Sequence, residues 1–129
     1  VVTPTMLATA GTDIEPVLLV GLGGAAGALL RFGIGESIDV DRFPVAVIAV
    51  NVLGTFLATL LALLGPAREA LLFASVGFCG SLTTFSTFSV RTMGLWEAER
   101  RLAAGIFAIG TLLACLGGAG LALLANSVL

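Results

Sequence analysis

The chain contains no histidine, no lysine and no tyrosine, and only 11% of its 129 residues are charged. Without histidine it lacks the side chain that most often moves protons near neutral pH. Six arginines are its only basic residues and the formal charge is −2, so it offers no basic footprint for a nucleic acid. Soluble domains carry about a quarter charged residues. A chain this poor in charge would expose large apolar patches in water. Its two cysteines, Cys79 and Cys115, lie in apolar stretches with no CxxC spacing, which reads as small buried residues rather than a disulfide or metal site. Residues 1–15 show no cationic region ahead of an apolar core, so they are expected to form a short, poorly ordered tail and not a secretory signal.

What is present is hydrophobic length: 58% of residues are hydrophobic and the mean hydropathy is +1.14. A bilayer core about 30 Å thick needs roughly 20 apolar residues per helix. Four segments meet that length, at about 16–35, 44–64, 69–93 and 102–125. The expected fold is therefore all-α: one four-span transmembrane domain over residues 16–129, in a multi-pass protein of the cell membrane. Pro16 suits a first helical turn, and Gly65-Pro66 punctuates the end of the second segment. The loops are short and hold nearly all the charge, so consecutive helices are expected to be antiparallel neighbours.

Arg31, Arg42, Arg91, Arg100 and Arg101 fall on one side of such a bundle, while Arg68 alone falls on the other side with both termini. The positive-inside rule then places the termini outside. Trp96, among charges beyond the third span, marks an interface. Gly23 to Gly27 and the series Gly110, Ala114, Gly118 form small-residue faces, which allow close helix contact within one subunit or between two. Four spans leave little room for a wet route at their own centre, so any transport pathway is expected to need a second subunit.

The third segment departs from lipid chemistry. Ser81, Thr83, Thr84, Ser86, Thr87 and Ser89 put six hydroxyls within nine positions of a membrane span, close after Gly77 and Gly80. One or two would read as a polar seam between helices; six point to a wet face. Gly80-Ser81 is the expected break in this helix, and a break at membrane depth frees carbonyls that suit a hard cation such as Na⁺. Phe85 and Phe88, three apart, share a helix face. They are either ordinary apolar residues or rings whose positive edges face a small anion. Asn51 in the second segment is equally well interhelical glue or an amide donor to an anion. Arg31, closing the first segment, either snorkels to the interface or attracts anions at a pore mouth. No acidic residue lies near mid-membrane in any span, whereas proton-coupled carriers need an intramembrane ionisable group.

The runs GGAAGALLRF (23–32), NVLGTF (51–56) and GFCGSLTTFSTFS (77–89) resemble, in order and spacing, the Fluc family of fluoride channels, also called CrcB-type proteins. The third run is long and unusual, and the resemblance covers the chain from about residue 17. It implies an antiparallel dimer of four-helix subunits with two fluoride pathways and a central, structural Na⁺. By that resemblance Gly80 and Thr83 hold the Na⁺ through backbone carbonyls. Phe85 and Phe88 line the pathway, Asn51 is the pore asparagine, Arg31 stands in the vestibule, and Ser86 and Thr87 supply hydroxyls. Thr111 stands where a further polar group is expected in the fourth span.

The chain departs from the family pattern at Ala46-Val47, where Gly-Thr is usual, and at Phe107, where a Tyr is usual. The implied partners are fluoride, the bilayer and a second copy of the chain, or an oppositely oriented homologue in a heterodimer. Two other functions fit a small four-span chain: a proton-coupled multidrug exporter, which needs a glutamate in its first span, and a non-transporting assembly subunit. No catalytic constellation is visible, so the chain does not read as an enzyme.

Overall fold

The structure, a computed structural model, describes residues 14–38 and 42–129. Among these it is wholly helical. The first span is α1 (Ile14–Ser37) and the second is α2 (Val45–Leu64). The third span is divided into α3 (68–82) and α4 (Phe85–Glu97), and the fourth is α5 (Arg101–Val128). Four helical runs are long and apolar enough to cross a membrane, the divided third one running Arg68–Glu97. The tail expected over 1–15 lies almost entirely outside the described residues; Ile14 and Glu15 already belong to α1.

Each terminus has a local cause. Gly65 takes the left-handed conformation (φ 57°) that ends α2, its amide returning to the Leu61 carbonyl at 3.2 Å, and Pro66 follows where a helix cannot continue. Beyond α4, Glu99 is also left-handed (φ 59°) and the Arg100 amide reaches back to the Leu95 carbonyl at 2.9 Å. Arg101 then stacks over the Trp96 ring, 5.2 Å from its centroid, fastening this loop where an amphipathic ring belongs.

The tightest packing is not between consecutive spans, as the short loops suggested. The first span seats on α3, and α2 lies along α5, which also receives α4. Glycine decides this arrangement. A Cβ on Gly23 or Gly27 would collide with the carbonyl oxygens of Phe73 and Phe78, and one on Gly77 would collide with Val20. The Gly23–Gly27 face is thus spent inside the subunit. Gly118 likewise faces Val52 of α2, whereas Gly110 meets nothing within 4 Å. Where lipid removes the hydrophobic drive between helices, close backbone approach supplies the contact energy. Gly27→Ala is therefore expected to destabilise the folded protein by about 3 kcal/mol through overpacking, and Gly110→Ala to be neutral. Thermal unfolding in detergent, followed by Trp96 fluorescence, checks both.

Part of α3, Leu71–Cys79, is wound as a π-helix, a rare geometry that is frequent at functional sites. The core it helps to build is small: Leu82 and Phe107 are the largest fully buried side chains, with Val47, Val50, Cys79, Ala104 and Ala122 around them. Leucines and valines on the outer faces stay exposed, Leu29, Leu102 and Val90 among them. In water that surface would aggregate; against lipid it is the expected exterior.

Candidate functional site

The third span breaks at Thr83-Thr84, three residues beyond the Gly80-Ser81 step expected from sequence. Gly80 is helical (φ −61°, ψ −32°), while Thr83 (−76°, 154°) and Thr84 (−149°, 110°) are extended. A side chain from another helix engages the break. The Asn51 Oδ1 accepts the Thr84 amide at 2.7 Å and its Nδ2 donates to the Thr84 carbonyl at 3.2 Å. An uninterrupted helix would have sent that amide to the Gly80 carbonyl. Buried Thr84 then caps the next helix: its Oγ1 accepts the Thr87 amide at 3.2 Å and donates to the Thr87 Oγ1 at 2.9 Å. This is N-capping at membrane depth, where orphan amides have no water to turn to.

The hydroxyls divide into two groups. Thr83, Ser89 and Thr111 return to the carbonyls of Cys79, Phe85 and Phe107, at 3.0, 3.0 and 2.6 Å. These satisfy themselves within their own helices. Thr87 instead accepts from Thr84 and keeps its own proton free, and Ser86 lies 3.4 Å from the Thr84 Oγ1.

Thr84, Ser86 and Thr87 lie on the wall of an open cavity of about 1000 Å³. Arg31 also lines it, joined by Arg42, Arg91 and Arg100. Among the described residues no carboxylate lines it, and Val47 and Val50 supply part of its apolar wall. Arg100 donates from its guanidinium to the Arg42 carbonyl, bracing the mouth. Four guanidinium groups around a recess with a low-dielectric wall focus positive potential and raise the local anion concentration. The counting of arginines by side had already put these four together. It did not single out Arg42, Arg91 and Arg100 as site residues, because nothing local distinguishes them from loop charges.

Phe85 and Phe88 do share a face, their ring centroids 5.7 Å apart. Phe88 continues onto Phe107 at 5.4 Å, and Phe107 meets Phe43 edge-on at 5.7 Å. Of this row only Phe43 lines the cavity; Phe107 is fully buried, and Phe85 is 79% exposed on the outside of the single chain. Thr111 lies behind Phe107, buried and with its proton engaged. Asn51, too, faces the helix break and not the cavity.

Carbonyls released at the break are hard, neutral oxygen donors. Among the described residues no cluster of three His, Cys, Asp or Glu side chains exists anywhere. A donor set of this kind fits a monovalent alkali cation and not a transition metal.

Comparison with known proteins places the whole membrane domain. Residues 18–123 match the family described as "CrcB-like protein, Camphor Resistance (CrcB)". The Fluoride-specific ion channel FluC 2 of Haloarcula marismortui is 44% identical over 109 residues, covering 84% of this chain and 92% of the relative. The Fluoride-specific ion channel FluC 1 of Halobacterium salinarum is 38% identical over 112 residues, covering 87% and 91%. The Fluoride-specific ion channel FluC of Thermus thermophilus is 42% identical over 106 residues, covering 77% and 84%. Agreement that runs through all four spans and across the broken helix is agreement in the whole domain, and the chain is a multi-pass membrane protein of the CrcB family.

Proposed function

We propose that the chain is half of a dimeric, passive, fluoride-selective channel that lets fluoride leave the cell. What carries the proposal is the cavity: arginine at its mouth, free hydroxyl donors on its wall, and relatives named for fluoride. Fluoride is small and tightly hydrated, so a pore has to replace its water. Thr87 and Ser86 offer O–H donors, and Asn51 keeps one amide hydrogen beyond the one it gives to Thr84. Beyond them Phe85 and Phe88 offer ring edges, which are electropositive. Each partner is weak, and conduction needs sites that an ion leaves as readily as it enters. Thr111 joins this route only by turning its hydroxyl away from the Phe107 carbonyl.

A second subunit completes the pathway in this proposal. Phe85 stands 79% exposed beside the cavity, and a ring that lines a passage needs an opposite wall. That wall is a second copy in antiparallel orientation, giving two pathways per dimer, or an oppositely oriented homologue. Gly80 and Thr83 are the residues that would hold a structural Na⁺ through their carbonyls. When bound, that ion would neutralise the freed carbonyl dipoles and fasten the dimer. A proton-coupled exporter is disfavoured because α1 carries acidic residues only at its ends, Glu15 and Glu36.

Efflux from liposomes containing only this chain tests the proposal. The expected result is rapid loss of internal fluoride with chloride retained. Vesicles that keep their fluoride with this chain alone, and still keep it when an oppositely oriented homologue is added, refute the channel. Efflux only in the mixture identifies the heterodimer.

A further inference from the structure

Asn51 makes an unusual pair of bonds. Its carboxamide grips both the amide and the carbonyl of one residue, Thr84, at 2.7 and 3.2 Å, much as a neighbouring strand would. The bonds come from α2, 33 residues away in sequence, and the local contribution to the break is the Thr84 N-cap. Gly80 keeps helical dihedrals, the Thr83 amide still closes on the Cys79 carbonyl at 3.1 Å, and no proline is present. The Thr84 hydroxyl is occupied in starting α4. One turn along α2, Gly54 is buried against the Thr83 methyl, and any side chain there would strike it. The second helix is thus cut away at Gly54 so that Asn51 can reach the break.

The consequence falls on the carbonyls. The Thr84 amide is the natural donor to the Gly80 carbonyl. Asn51 diverts it, and the Gly80 oxygen loses its helical partner. Thr83 is extended, so its carbonyl also lies outside the helical ladder. Were Asn51 absent, Thr84 could close one more turn onto Gly80 and consume the oxygen.

We infer that Asn51 is the positioning residue of the cation site: it holds the third span open at Thr84 so that Gly80 and Thr83 present their carbonyls to Na⁺. The inference rests on the cation reading proposed above and requires no contact between Asn51 and either ion.

Thermal unfolding of the purified full chain in detergent, against Na⁺ with N-methylglucamine keeping ionic strength constant, is the test. Parent protein is expected to gain stability with Na⁺, since a ligand that binds only the folded state raises the midpoint by mass action. For Asn51→Ala the midpoint in N-methylglucamine alone should match the parent's, and each Na⁺-raised midpoint should need about ten times the parental Na⁺ concentration, a shift equivalent to about 1.4 kcal/mol. Asn51→Asp keeps an acceptor for the Thr84 amide and, protonated at membrane depth, a donor for the Thr84 carbonyl, so it should stay within about threefold of the parent, equivalent to roughly 0.7 kcal/mol.

A purely structural asparagine predicts a different pattern. The Asn51→Ala midpoint would then be lowered already in N-methylglucamine alone, and by the same amount at every Na⁺ concentration, and that result overturns the inference. So does an Asn51→Ala protein that never folds at any Na⁺ concentration, or an Asn51→Asp protein as insensitive to Na⁺ as the alanine variant. A parent protein indifferent to Na⁺ removes the cation reading itself. Fluoride efflux, measured separately, stands or falls without it.

Discussion

Replacing Phe85 and Phe88 together by isoleucine is expected to reduce fluoride efflux about a hundredfold while leaving a folded dimer. The two rings stand 5.7 Å apart on one face of α4, and Phe88 continues onto buried Phe107. Isoleucine keeps apolar bulk but has no quadrupole, so it removes the electropositive edge and little else. If each ring contributes about 1.4 kcal/mol to the passing anion, a value within the range of aromatic electrostatic contacts, each loss slows flux about tenfold. Phe85 is largely exposed and Phe88 half-buried, so neither exchange opens a large cavity in the subunit core. Initial efflux rates from liposomes, with size-exclusion chromatography for the dimer, decide the matter. Undiminished flux from the double variant would reduce the aromatic row to packing.

How much of this was legible beforehand depended on whether the cause was local. The four spans follow from apolar length against bilayer thickness, and they stand where the segments put them. The helices continue past the apolar stretches, α4 to Glu97 and α5 to Val128, because the headgroup layer also accepts helix. The break in the third span was legible as to region but not residue. Glycine's low helix propensity pointed to Gly80, yet propensity is a weak prior, and the break follows the Thr84 N-cap together with Asn51, whose reach across from α2 leaves no mark in the local sequence.

The pairing of α1 with α3 was missed for a related reason. Loop length makes consecutive helices neighbours by default, while Gly23, Gly27 and Gly77 decide contact by backbone approach. Those glycines were visible, but whether they served one subunit or two was not. Thr111 shows the opposite case. Its place in the family pattern suggested a pathway role, and only the fold reveals a hydroxyl bonded to the Phe107 carbonyl.

The second large effect concerns the hydroxyls that remain free. Thr87→Val is expected to lower fluoride efflux between about tenfold and a hundredfold. A hydrogen bond to a charged partner contributes about 1.5–3 kcal/mol, and its loss to a partly dehydrated ion raises the barrier accordingly. Thr87 is the clearest donor at the cavity because it accepts from Thr84 and retains its own proton. Valine preserves the shape, and the Thr87 amide still bonds to the Thr84 Oγ1. The Thr84 proton, deprived of its acceptor, has the Ser86 Oγ only 3.4 Å away, so the capped start of α4 survives at a cost near 1 kcal/mol.

Thr92→Val is the matched control. That hydroxyl is bonded to the Phe88 carbonyl at 2.8 Å and does not line the cavity, so its loss should leave efflux unchanged. A polar seam between helices predicts a different pattern: both substitutions would act through stability, and neither would act on flux at matched amounts of folded protein. Rates normalised to folded protein therefore distinguish a wet wall from a dry joint. Equal efflux from Thr87→Val and the parent would mean that this hydroxyl never meets the ion.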